Sequence, residues 1–320
     1  NKYVAVGYDA LYYFGASKVN EESVGIGYFA GKYATGSYNT FVGSQAGKGG
    51  TTSAPYSSGE SNVAVGYQAL DAFTTGYSNV AVGRIALSAV NTGFRNVGIG
   101  DGAGQALTTG DENVAVGHNA LKSASTTNNQ VAIGQNSLHT TQTGTGNTAV
   151  GQSTMYQNSS GNNNVAIGYN AGFTGTAKYE NVIIGKESGF YATGSYNTFV
   201  GSEAGKGGTT SAPFSSGQYN TAVGRKALDA FTTGQYNAAL GADALGSVTS
   251  GQYNVGIGGS AGGAITTAQE CIAIGQDSLV ASQTGNGIIA IGYQAMFSAN
   301  HADNAGNVAI GYTALRTNIK

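Results

Sequence analysis

The motif Asn-Val-Ala-[Val/Ile]-Gly returns along the whole chain, for example at 62–66, 79–83, 113–117, 164–168 and 307–311. Its closing glycine marks eighteen positions, from Gly7, Gly27 and Gly43 to Gly292 and Gly311, most of them 17 residues apart. A short fixed period settles architecture before local propensity does, because one repeat cannot bury its apolar face alone and must stack on its neighbours.

The residue before each marker is Val, Ile or Leu, the residue three before it is apolar or Thr, and the residue between is usually Ala. That period of two predicts a short strand, with Val63 and Val65 pointing into the coil and Ala64 facing away. Three residues after the marker stands Ala, Ser or Thr (Ala69, Ser137, Thr154), followed by Leu, Met or Gly, which predicts a second strand or corner. A second glycine seven before the marker (Gly76, Gly110, Gly234) predicts a tight turn of positive φ, with Asn20 and Asn304 as substitutes. Two glycines per repeat and β-branched strands oppose helix. The expected fold is an all-β parallel β-solenoid of about eighteen 17-residue coils, a two-sided roll, stacked at about 4.8 Å per coil into a rod roughly 85 Å long. A three-sided form, with about 18 residues per coil, is the alternative.

Asparagine stands four before the marker in thirteen coils: Asn39, Asn62, Asn79, Asn96, Asn113, Asn147, Asn164, Asn181, Asn197, Asn220, Asn237, Asn254 and Asn307. Stacking aligns these amides into a structural ladder. A covariation accompanies it. The six coils without Ala at the middle strand position (Gly25, Phe41, Gly98, Ile183, Phe199, Gly256) all have Gly four after the marker, and eleven of the twelve Ala coils have Leu or Met there. Phe41 with Gly47 suggests exchanged volume, which Gly25 with Gly31 does not follow.

The segment 34–43 recurs at 192–201, and the 23-residue coil after Gly43 recurs after Gly201, so the coils form two blocks of nine, 1–160 and 161–320. An insertion in a solenoid coil is extruded as a loop. The long coils therefore offer Lys48, Thr51, Thr52, Pro55 and Tyr56, with Lys206, Thr209, Thr210, Pro213 and Phe214, as candidate partner-contact residues, Tyr56 and Phe214 being the aromatic anchors. A solvated loop or a contact between neighbouring chains is the alternative.

A net charge of −2 provides no basic field for nucleic acid, and no stretch is apolar enough to insert in a membrane. With a near-normal apolar share of 40% the chain is expected to be ordered. Its single Cys271 replaces a ladder asparagine and is read as a tolerated small side chain. His118, His139 and His301 fall at unrelated places in the repeat, the acidic residues are scattered, and Gly98-Ile99-Gly100 lacks a βαβ context. No catalytic site, metal or cofactor is expected. The core of a narrow roll is thin, and the row of Ala, Gly and Phe on the other strand face would lie exposed, so packing of several chains around one axis is expected.

The Asn-Val-Ala-[Val/Ile]-Gly repeats resemble those in the head domains of trimeric autotransporter adhesins, and the fuller Asn-Thr-[Ala/Phe]-[Val/Ile]-Gly pattern is similar to repeats of phage tail fibres and related bacterial surface fibre proteins. The likeness covers essentially the whole chain, with longer coils here. It implies a left-handed β-roll, a homotrimer, a location outside the cell, on its surface or on a virion, and attachment to a host or cell-surface glycan or protein. A structural filament that stacks end to end is the alternative. An ice-binding solenoid is a minor one, because its Thr-Thr-Gly rows (Thr74-Thr75, Thr108-Thr109, Thr232-Thr233) are expected to be interrupted near Ala124, Asn158 and Val248.

Overall fold

The computed structural model describes residues 2–14, 22–51, 53, 56–175, 177–208, 214–281, 284–298 and 305–317. They form an all-β parallel β-solenoid without an α-helix among the described residues. Contacts divide the chain into two compact units, 1–161 and 162–320.

Among the described residues the first unit holds nine strands, from β1 (Tyr3–Val6), β2 (Ser23–Ile26), β3 (Thr40–Val42), β4 (Val63–Val65) and β5 (Val80–Val82) to β9 (Thr148–Val150). The second holds nine more, from β10 (Val165–Ile167) to β18 (Val308–Ile310). Within each unit a strand pairs in parallel with the equivalent residues one coil on, as Val63, Ala64 and Val65 of β4 do with Val80, Ala81 and Val82 of β5. The marker glycine ends every strand, with φ between 117° and 139°. Space requires glycine there as well: a Cβ on Gly66 would stand 2.5 Å from the carbonyl oxygen of Gly83.

Three expectations need correction. Of the second strand or corner expected after the marker, the described residues form the corner and no strand. Residues after the marker are a stacked turn in which Gln68 (φ 53°) and Leu70 (φ 51°) are left-handed on either side of Ala69. Gln68 N–H donates to Ser44 O in the preceding coil, and Leu70 N–H donates to Ala86 O in the next. Neighbouring coils thus satisfy backbone groups that a left-handed leucine would otherwise hold at a steric cost.

The strand faces are the reverse of the expectation. Ala64, Ala81, Phe41 and Phe199 are wholly buried, whereas Val63 and Val65 are half-buried and Ile26, Ile99 and Ile133 are exposed. The interior lies between the strand and the stacked turn, where Ala69 and Leu70 are also wholly buried. It is too narrow for β-branched residues in every coil. A Cβ on Gly98, at the inward strand position, would lie 2.6 Å from Leu87 Cγ. Volume therefore puts Ala inside, and Val and Ile outside.

The second glycine does not need positive φ. Gly76, Gly110 and Gly234 lie outside the left-handed region, and Gly76 is required because a Cβ would meet Gly93 O at 2.6 Å. Asn20 and Asn304 lie outside the described residues. Ala124, Asn158 and Val248, expected to break the threonine rows, are wholly buried, the first two at the repeat position of Phe73, Val90 and Leu107 in the first unit and Val248 at that of Phe231 and Ile265 in the second. Beside that column, Thr75, Thr92, Thr109, Thr126 and Thr143 form an exposed row in the first unit.

Candidate functional site

Twelve of the thirteen ladder asparagines are buried, and Asn307 is half-buried. Their geometry repeats from coil to coil. The Asn79 N–H and Nδ2 donate to Asn62 Oδ1 at 3.0 and 3.1 Å, and Nδ2 also donates to Gly93 O at 2.9 Å. Asn96 and Asn113 continue the series in the first unit, as Asn237 and Asn254 do in the second. Inside these runs the amide oxygens of Asn62, Asn79, Asn96, Asn220 and Asn237 accept twice and the amide nitrogens of Asn79, Asn96, Asn113, Asn237 and Asn254 donate twice, so polar groups deep in the roll are satisfied without water. Gln130 substitutes by accepting Asn147 N–H and donating to Gly144 O. At Cys271 the amide is replaced by a thiol, which lies 3.2 Å from Gly285 O and which burial pushes up in pKa. Such an arrangement is a line of structural bonds and offers no convergent point for chemistry.

Of the long-coil candidates, Thr52, Pro55, Thr209, Thr210 and Pro213 lie outside the described residues. The others engage their own chain. Tyr56 stacks on Tyr13 with ring centroids 4.4 Å apart, and Phe214 lies parallel to Tyr191 at 6.1 Å. Thr51 Oγ1 pairs with Ser57 Oγ at 3.1 Å, Lys48 lies 4.0 Å from Asp71, and Lys206 bridges Glu187 and Glu203 at 2.8 and 3.2 Å. The Glu187 hydrogen bond is the largest influence raising Lys206 in pKa. The two aromatic anchors are thus already half-spent on intramolecular packing.

His118 is exposed beside Asn119, while His139 stacks on Tyr156 at 4.8 Å and is lowered in pKa by burial. His301 lies outside the described residues. No group of three or more His, Cys, Asp and Glu among the described residues could hold a metal ion, and no helix among them is long and apolar enough to cross a membrane.

Sequence reasoning missed two features. Lys178 stands in the second-glycine place of its coil, yet its side chain turns inward and is 1% exposed. Its Nζ donates to Gly172 O at 2.8 Å, and burial lowers it to about 7. The signal was present one marker earlier: Gly172 makes the coil of Gly168 the single Ala coil without Leu or Met four after the marker, and Gly175 also leaves the neighbouring core column empty. The lysine stem fills that space.

The second missed feature is a stack of four tyrosines in the second unit. Tyr196, Tyr219, Tyr236 and Tyr253 each stand five before a marker, with ring centroids 4.9, 4.9 and 5.0 Å apart and planes within 3° of parallel. They are exposed by 42, 44, 44 and 52%. Their spacing could have been read from the repeat, but their exposure follows from left-handed φ values of 56° to 62°, which the repeat alone does not display.

No family model, curated protein or solved structure matches this chain.

Proposed function

We propose that the chain is a segment of an extracellular fibre or adhesin, a stiff shaft or head for attachment to a surface, built from three copies of a left-handed roll. The observation that carries this reading is the outer face of the strands. In each unit two columns of Val, Ile, Leu and Thr, with Ala238 the one exception, flank the mostly Ala middle column and stay half-buried or exposed in the isolated chain. A contiguous apolar sheet face of this kind calls for a cover, and an identical face on another copy has the same period. The packing face is therefore the Val and Ile face, in place of the row of Ala, Gly and Phe expected from the sequence.

Sedimentation equilibrium tests the reading. The native chain should sediment as a trimer, and Val82→Lys with Val116→Lys should weaken association by about a hundredfold or more, because each copy would bury unpaired charge. A native chain that remains monomeric across the accessible concentration range would remove the proposal.

One observation favours a second reading, an ice-binding face: the exposed row of Thr75, Thr92, Thr109, Thr126 and Thr143 is uninterrupted. Thermal hysteresis that disappears in Thr109→Lys would support it, and a native chain without hysteresis would close it.

A further inference from the structure

The duplication supplies an internal control for the tyrosine stack. Tyr196, Tyr219, Tyr236 and Tyr253 of the second unit correspond to Tyr38, Ser61, Ser78 and Arg95 of the first. The backbone is the same at both sets, with φ of 57° at Ser61 and 54° at Ser78 against 58° at Tyr219 and Tyr236. Nothing in the local fold calls for an aromatic residue there. A left-handed position is better suited to Gly, Asn or Asp, and the side chains contribute nothing to the interior.

The stacking fixes what is offered to a partner. Each ring covers the face of the next, so the outward surface is a row of phenol edges and hydroxyls. None of the four hydroxyls has a hydrogen-bond partner among the described residues. Gln218 and Gln235 precede Tyr219 and Tyr236, and their backbone carbonyls accept the N–H groups of Tyr236 and Tyr253 at 3.2 and 3.1 Å. Glu180 and Glu270 occupy the same column at the two ends. The result is a row of one phenol per coil, four coils long and bounded by carboxylates, with a glutamine before three of the tyrosines (Gln218, Gln235, Gln252) and Ser195 before the first.

A matching ligand must repeat at about one coil, present hydroxyl groups, and carry no dense negative charge. An extended peptide does not fit, since its rise of about 3.3 Å per residue leaves the 4.9 Å period after one step. A nucleic-acid strand fails on charge beside the terminal glutamates. An extended neutral polysaccharide of β-1,4-linked pyranosides does fit, because one sugar advances close to one coil and offers hydroxyls along its edge. We propose that the tyrosine stack of the second unit is a binding surface for such a polysaccharide, laid along the ladder. This names the partner class for the attachment reading and rests on that reading for where chain and polymer meet. Pre-ordered rings keep the entropic cost of binding low.

The test measures depletion of the full chain onto microcrystalline cellulose and onto chitin, with starch as the α-linked control. The native chain should be retained by at least one of the β-linked polymers and not by starch. Tyr219→Ser with Tyr236→Ser, the residues that the first unit carries on the same backbone, should weaken retention by about tenfold or more, a loss of about 1.4 kcal/mol. Ser61→Tyr with Ser78→Tyr should raise binding capacity. No retention on either polymer, or equal retention of the double serine variant, would overturn the proposal. So would a double serine variant that falls apart into monomers, since the stack would then be a contact between copies. Sedimentation of the same samples reports on the trimer independently, so failure of polymer binding is distinguishable from failure of the packing reading.

Discussion

Replacing Lys178 by methionine should stabilise the second unit by roughly 3 kcal/mol at pH 7. The native lysine is neutral in the fold above about 7 and regains its ordinary value of 10.5 on unfolding. Between those two values the unfolded chain binds one more proton than the folded chain. Stability of the native protein therefore rises with pH across that window, by about 1.4 kcal/mol per pH unit, and is level above and below it. Methionine removes the slope and fills the same space above Gly175, at the cost of leaving Gly172 O without its donor, about 1 kcal/mol. Denaturant unfolding of both proteins at neutral pH and near pH 10 measures this. The two curves should converge at high pH, and a constant gap would show that the lysine's proton is not the cause.

The period, the parallel stacking and the asparagine line could all be read from the sequence, because stacking forces equivalent residues into contact and so repeats their chemistry. Which strand face lies inside could not. Val63, Ala64 and Val65 are all apolar, so hydropathy does not separate the two faces, and the larger residues were expected inside. The depth of the roll decides, and depth is set by the stacked turn, whose left-handed conformation is not announced by its residues: the Gln68 position varies from coil to coil, and leucine at position 70 is not a residue type that signals positive φ. Lys178 escaped for a related reason: a lysine in a turn reads as solvated unless the missing Leu at Gly172 and the missing side chain at Gly175 are noticed together. Tyr56 and Phe214 looked like free anchors because sequence separation hides Tyr13 and Tyr191, on which they stack.

The covariation between the middle strand position and the residue four after the marker becomes intelligible in three dimensions, and it makes the second large prediction. In the Phe41 coil the ring occupies the space that a side chain at Gly47 would need, and Phe199 does the same at Gly205. The Gly pairs follow the same rule one coil over. A Cβ on Gly25 or Gly31 would lie 2.7 or 2.6 Å from Leu11 of the preceding coil, and Leu87 bears in the same way on Gly98 and Gly104, at 2.6 Å from each. The shared volume thus belongs to adjacent coils as well as to one. Gly47→Leu alone should overfill the core and cost about 3 kcal/mol. Phe41→Ala alone should leave a cavity beside Phe73 and cost about 3 kcal/mol or more. The double variant recreates the order found natively at Leu87, Gly98 with Gly104, and Ala115 with Leu121. Leu70 and Leu121 already hold φ of 51°, so leucine at position 47, where φ is 52°, adds no new backbone strain. It should therefore be no less stable than either single variant, a coupling of about 3 kcal/mol in a denaturation cycle. Additive losses in that cycle would mean that the two positions do not share space, and the volume rule would fall with them.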